Sequence, residues 1–235
     1  MMKKIAPFIA LVSFFCLSIS SCEEIARRPM SEAEVARGLK EALAIGVDNS
    51  VSLARQTDGF FDHPVIKIPF PPEAMGAYNY MNNSSLLRPL LNEFVLRLNR
   101  AAEDASVKAK PIFLDAITGM TVQDAWGILR GEQNAATTYL HRRTYDQLYE
   151  AFKPDVLNSL NSVGAATAWQ ELSTAYNAIA RLNPSLSVIS TDLADYTTTK
   201  ALDGLFFLVE QEEIQIRTDP AARVTDLLRR VFAQQ

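Results

Sequence analysis

Residues 201–217 read ALDGLFFLVEQEEIQIR. Leu205 to Val209 is apolar on every side, which marks a helix enclosed by others rather than one lying on a surface. Asp192 stands upstream as a helix cap, so the spacing predicts one long helix from there through Tyr196, Leu202, Leu205, Phe206, Val209 and Ile216 to Arg217. An enclosed helix needs neighbours with one apolar face each. The rest of the chain is expected to supply them.

Working outward, Ser31-Glu32-Ala33-Glu34 forms a capping box, and Val35, Leu39, Leu43, Val47 and Val51 line one face of a helix reaching about Arg55. A second helical section spans about Leu86 to Gly119, striped by Leu90, Phe94, Leu98, Ala101, Ala102, Ala105 and Ala109. Pro111 is expected to kink it or restart it. Thr121 to Asp124 caps a short helix to Arg130, with Gly131 as its stop. Further helices are expected over about 133–152, over 154–163 with Pro154 at the start, and over 165–182 with Trp169, Leu172, Tyr176 and Ile179 on one face. Asp219-Pro220 opens the last, carrying Val224, Leu227, Leu228, Val231 and Phe232.

One region breaks the period. Between Gln56 and Ser85, Pro64, Pro69, Pro71 and Pro72 bar a continuous helix. The expectation is a long structured loop with extended pieces around Val65 to Ile68 and a short helix near Glu73 to Tyr80. Phe60, Phe61 and Phe70 argue for order, because they need burial. The fold class is therefore all-α: a single multi-helix domain over residues 31–235 with one long Pro-rich loop.

The N-terminus carries a different signal. Lys3 and Lys4 precede a mostly apolar run from Ile5 to Ile19, too short for a lasting span, followed by Ile19-Ser20-Ser21-Cys22. That ending resembles a bacterial lipobox, so residues 1–21 are expected to be a cleaved lipoprotein signal peptide. Cys22 is the expected lipid attachment site, and 22–30 the tether. Cys16 leaves with the signal, so no disulfide and no free thiol remain. The remaining balance is 21 basic against 27 acidic residues, −6 overall, which disfavours electrostatic adhesion to anionic lipid headgroups, so the acyl chains on Cys22 would hold the protein to the membrane. Glu23 and Glu24 read as the start of a solvated tether; they also resemble a surface-export signal of some Gram-negative lipoproteins, so the leaflet stays open. The expected location is the bacterial cell envelope, lipid-anchored at the outer membrane.

Five strings sharpen the reading: TDGFFDHPVIKIPFP (57–71), NRAAEDASVKAKPIF (99–113), AITGMTVQDAWGILRGEQNAATTYL (116–140), ALDGLFFLVEQEEIQIR (201–217) and DPAARVTDLLRRVF (219–232). In order and spacing they resemble the bacterial domain of unknown function 4197 family, over about Ser31 to Phe232. The segment 75–93 departs most from that pattern. The resemblance implies an exported, mostly helical bacterial protein and supplies no catalytic residues.

Composition excludes several function classes. A net charge of −4 without a basic patch argues against a nucleic-acid partner, and two histidines and two cysteines leave little for a structural zinc site. Phosphate-cradling, dinucleotide-binding, zinc-protease and serine-hydrolase motifs are absent from the sequence. No cofactor and no metal are expected. Asp58-Gly59-Phe60-Phe61-Asp62-His63 offers two carboxylates and an imidazole; a turn with Gly59 at positive φ explains the same letters and is preferred. His141, Arg142 and Arg143 point three ways around a helix, with Asp146 placed to pair with Arg142.

Glu213 sits four residues before Arg217, in a salt-bridged helix face that includes Glu210. Asp203, set among Leu202, Gly204 and Leu205, needs a donor if buried. The catalytic candidates are Asp203 and Glu213. The ligand-binding candidates are Phe60, Phe61, His63 and Phe70, whose loop could cover an apolar groove. The leading expectation is a non-enzymatic, lipid-anchored module for a partner protein or hydrophobic small molecule. The alternative is an envelope hydrolase acting on cell-wall glycan through acidic residues.

Overall fold

In a computed structural model, residues 30–83, 85, 88–184, 186–189 and 192–233 are described. The expected signal peptide, Cys22 and the expected tether up to residue 29 lie outside them. The elements are α1 (Glu32–Ala54), α2 (Met75–Asn82), α3 (Arg88–Ala105), α4 (Ala109–Thr118), α5 (Val122–Leu129), α6 (Ala135–Ser162), α7 (Ala165–Ala180), α8 (Leu193–Thr218) and α9 (Asp226–Phe232). Single 3-10 turns lie at Pro72–Ala74, Ser106–Lys108 and Pro220–Ala222. No strand occurs among the described residues, and the chain is all-α.

Helix α8 is the axis of the fold. Leu202, Leu205, Leu208 and Val209 are buried on more than one side, against α6 and α1. Helix α6 runs antiparallel to it, since Thr137 meets Glu213, His141 meets Phe206 and Tyr149 meets Asp195 in turn. Helices α3 and α4 pack on α6, while α4, α5 and α9 pack on α1. The stripe of α1 expected from its fourfold spacing is buried at Val35, Leu39, Leu43, Val47 and Val51. Gly38 lets α9 approach closely: a Cβ there would stand 2.5 Å from Val231 Cγ2.

Several boundaries differ from the sequence expectations, each for a physical reason. Pro154 does not open a helix. It lies inside α6, exposed, while Leu148, Phe152, Val156 and Leu160 continue a buried fourfold stripe across it. Packing on that face offsets the missing backbone bond, which alone costs about 3 kcal/mol. In α3 the core position falls to Leu91, and Leu90 is 63% exposed. Asn99 and Glu103 are themselves buried, which turns the inward face of the helix toward Leu91.

The last helix starts later than Asp219-Pro220 implied. Asp219 caps only a 3-10 turn, accepting from the amide of Ala221; Thr225 then caps α9, and Val224 stays exposed between them. Gly131 follows α5 without a left-handed φ. Its role is close approach, since a Cβ would meet Ala135 Cβ at 2.8 Å and the Gly127 carbonyl at 2.9 Å. The capping box at Thr121 and Asp124 forms as expected and holds the Asp124 carboxyl below its usual range, chiefly through the Thr121 backbone amide.

The segment 55–71 has no strand. Ile66 and Ile68 are buried, but Val65 to Ile68 joins no ladder: the Lys67 amide turns back to the His63 carbonyl at 3.3 Å, and an asparagine side chain meets Ile68. Phe70 sits in an aromatic group with Tyr78, Phe94 and Trp169, all at ring distances of 5.5 to 5.7 Å from it. Burial of rings this size contributes about 1.5–3 kcal/mol apiece, which explains how a loop this long stays folded.

Candidate functional site

Two buried polar networks come first, because they take up groups that chemistry might otherwise use. Glu213, on α8, is 6% exposed. Its Oε1 accepts from the amide of Ala136 at 2.9 Å, and its Oε2 accepts from the amide and hydroxyl of Thr137, each at 2.8 Å. These are the second and third residues of α6, whose own N-cap, Asn134, makes no side-chain cap bond. Glu213 therefore caps α6 from another helix, and its negative charge sits at the positive end of that helix dipole.

Arg217 completes the arrangement. Its Nε and Nη2 donate to Glu213 Oε1 at 3.0 and 2.8 Å, and its other bonds go to the carbonyls of Ile128 (2.8 Å) and Leu129 (3.3 Å) at the end of α5. A cation thus meets the negative end of α5 and an anion the positive end of α6. The expected Glu213–Arg217 pair exists, but in the interior and not on a solvent face.

The second network holds the Pro-rich loop. Asn99 Oδ1 accepts from the Ile68 amide at 2.8 Å, and Asn99 Nδ2 donates to the Ile68 carbonyl at 2.9 Å, imitating one rung of a sheet. Glu103 Oε1 accepts from the amides of Phe60 and Phe61, while Arg100 bridges Glu103 and Asp58 with two 2.7 Å bonds. Asp58, not Gly59, takes the left-handed conformation, at φ 67°. Gly59 is needed for space, because a Cβ would lie 2.2 Å from the Leu53 carbonyl oxygen. The Asp58 carboxylate pairs with Arg100, and His63 Nδ1 accepts from the amides of Val65 and Ile66. No group of His, Cys, Asp and Glu among the described residues is arranged to hold a metal ion.

The ligand-binding candidates separate under this geometry. Phe60 and Phe70 are buried and spent on packing; Phe60 lies against Gly204 of α8, where a Cβ would come within 2.7 Å of the ring. Phe61 is half-buried beneath Lys67, whose ammonium stands 3.7 Å from the ring centre. His63 meets the edge of Phe207 at 6.2 Å. Phe207 leads to the cleft.

An open cleft of about 480 Å³ lies along the α6–α8 seam, lined by Asn134, Thr137, Thr138, His141, Arg142, Asp203, Phe206, Phe207 and Glu210. The antiparallel register arranges these groups in order. Glu210 and Asn134 stand together at one end, joined at 3.3 Å. His141 packs at a tilt on Phe206, ring centres 4.6 Å apart, in the middle. Arg142 and Asp203 lie toward the other end, where Lys200 donates to Asp203 at 2.8 Å. Asp203 is exposed, so its donor is a surface lysine and not a core group. No ion pair among those of the described residues joins Arg142 to Asp146.

The two catalytic candidates do not form an acid–base pair with each other. Asp203 and Glu213 are ten residues apart on one helix, about 15 Å along its axis, against the roughly 5–9.5 Å used by glycosidase acid–base pairs. Sequence reasoning placed Asp203 and Glu210 on one helix and His141 and Arg142 on another, and did not bring the two pairs together. Nor did it find Asn134, Thr137, Thr138 or Phe207 as lining residues. Only the α6–α8 register assembles them.

Residues 29–233 match the family described as protein of unknown function (DUF4197). The chain belongs to the DUF4197 family. The match spans every helix from α1 to α9. No curated protein and no solved structure matches the chain. The strings that carried the resemblance to the DUF4197 family supply both buried networks: 57–71 meets 99–113 through Asp58, Phe60, Phe61 and Ile68, and 116–140 meets 201–217 through Glu213 and Arg217.

Proposed function

We propose that this protein is a lipid-anchored module of the bacterial cell envelope, held at the outer membrane through Cys22, which binds a ligand in the α6–α8 cleft and performs no chemistry on it. The observation that carries the binding reading is the division of labour among polar groups. Glu213, Arg217, Asn99 and Glu103 are buried and occupied in holding helix ends and the loop. The groups left facing solvent in the cleft are spread along a seam with aromatic rings at its centre, a lining suited to recognition.

The lipobox Ile19-Ser20-Ser21-Cys22 and the basic, then apolar, run before it support the anchor. No helix among the described residues is long and apolar enough to cross a membrane; in this reading the acyl chains on Cys22 supply the attachment. The test has two arms. Labelled palmitate incorporated by the wild type, with Cys22→Ser released from the membrane fraction, is the expected result for the anchor. Native mass spectrometry of protein extracted from its own host is expected to show a bound mass that Phe207→Ala loses. A Cys22→Ser protein still in the membrane refutes the anchor, and an identical spectrum for Phe207→Ala refutes the cleft.

A further inference from the structure

Resting on the cleft reading above, we infer that the α6–α8 slot is selective for an elongated zwitterion with an apolar middle: a short peptide with a free amino end and a free carboxyl end. The argument is one of charge order along the seam. At the α6 N-terminal end the ionised side chain facing the slot is Glu210, whose contact is the neutral amide of Asn134. The nearby Glu213 is already neutralised by Arg217. At the opposite end stand Arg142 and the Lys200–Asp203 pair, one net positive charge.

Between the ends, Phe207 and the His141 ring present an apolar surface, with the buried Phe206 ring packed under His141. Glu210 and Asp203 are seven residues apart, which at about 1.5 Å per residue puts the ends about 10 Å from one another. An extended peptide advances about 3.3 Å per residue, so roughly three residues span the slot.

The polarity fixes the orientation. The peptide ammonium donates to Glu210 and, in the same place, meets the carbonyl oxygen of the Asn134 amide. The central side chain lies on Phe207 and the His141 ring. The carboxylate accepts from the Arg142 guanidinium, which can offer two parallel donors. The Thr138 hydroxyl lines the amino end and can accept a further ammonium proton, while that of Thr137 is committed to Glu213.

The experiment uses the tripeptide alanyl-phenylalanyl-alanine in three forms: free, N-acetylated and C-amidated. Each is titrated into the full chain in detergent and followed by calorimetry. The free form is expected to bind, and each blocking group to weaken it by about tenfold, the equivalent of one charge-assisted contact. Glu210→Gln is expected to bind the free and acetylated forms alike, and Arg142→Gln the free and amidated forms alike. Arg143→Gln, whose guanidinium lies over the Tyr139 ring outside the slot, keeps the full discrimination.

Equal binding of all three peptides by the wild type overturns the zwitterion assignment. So does loss of discrimination in Arg143→Gln, which would mark a diffuse charge effect. If the peptides do not bind while the host-derived mass still depends on Phe207, the peptide assignment falls and the cleft reading stands. If neither is seen, both fall.

Discussion

Replacing Glu213 by glutamine keeps the shape of the side chain and removes its charge. Five hydrogen bonds converge on the carboxylate: the amides of Ala136 and Thr137, the Thr137 hydroxyl, and Nε and Nη2 of Arg217. An amide in its place keeps one acceptor oxygen and turns two donors toward groups that are all donors. Arg217, 9% exposed, would remain buried with only the Ile128 and Leu129 carbonyls for company. Breaking a buried pair from one side costs about 3–5 kcal/mol.

With a urea dependence of about 3 kcal/mol per molar for a domain of this size, the unfolding midpoint of Glu213→Gln falls by about 1 to 1.7 M. Arg217→Met is expected to lose a similar amount. The double variant is expected to lose less than the sum, with a coupling above about 1 kcal/mol, because neither charge is then left alone. A Glu213→Gln midpoint within about 0.3 M of wild type, or strict additivity in the cycle, refutes the capping argument. A hydrolase that lost turnover in Glu213→Gln while keeping its stability would refute it from the other direction.

Gly204→Ala puts a methyl 2.7 Å from the Phe60 ring and 3.0 Å from Ile66 Cβ, and is expected to cost about 1–3 kcal/mol by thermal unfolding, with partial recovery in the Phe60→Leu background. Asn99→Ala leaves the amide and carbonyl of Ile68 without the partners they now have; amide hydrogen exchange is expected to accelerate over 58–70 while α8 stays protected. Burial, with Glu73 nearby, pushes the Tyr196 phenol up to about 12, and the Tyr149 hydroxyl accepting from Lys153 raises that ammonium to about 12. Both groups hold a proton in the folded state that the unfolded chain has already lost above about pH 10 to 10.5, so their contribution is complete below that range and is lost as pH rises through 12. Unfolding midpoints are expected to decline over that window, less steeply in Tyr196→Phe.

The helical plan was legible because it rests on local rules. The enclosed run Leu205 to Val209, the stripe from Val35 to Val51 and the box at Thr121 are each decided within a few residues of sequence. Failures came where a distant partner overrode a local preference. Pro154 is a breaker by itself and is tolerated inside α6 only because the buried stripe through Phe152 and Val156 continues across it and α6 packs on α3 and α4. Leu90 lost its place to Leu91 because Asn99 and Glu103, polar letters, turn inward to hold a loop that lies 31 and 43 residues away in sequence. The cleft was the least visible part. Its two walls come from segments about 65 residues apart, and nothing short of the α6–α8 register says that Glu210 faces Asn134.

The double clamp formed by Glu213 and Arg217 changes what the turn from Arg130 to Asn134 has to do. The helix before it and the helix after it are each gripped at their facing ends by one rod, α8, so their mutual position does not depend on the short peptide that joins them. That peptide is a thread between two parts already bolted together, free to lengthen or to be cut without the parts drifting.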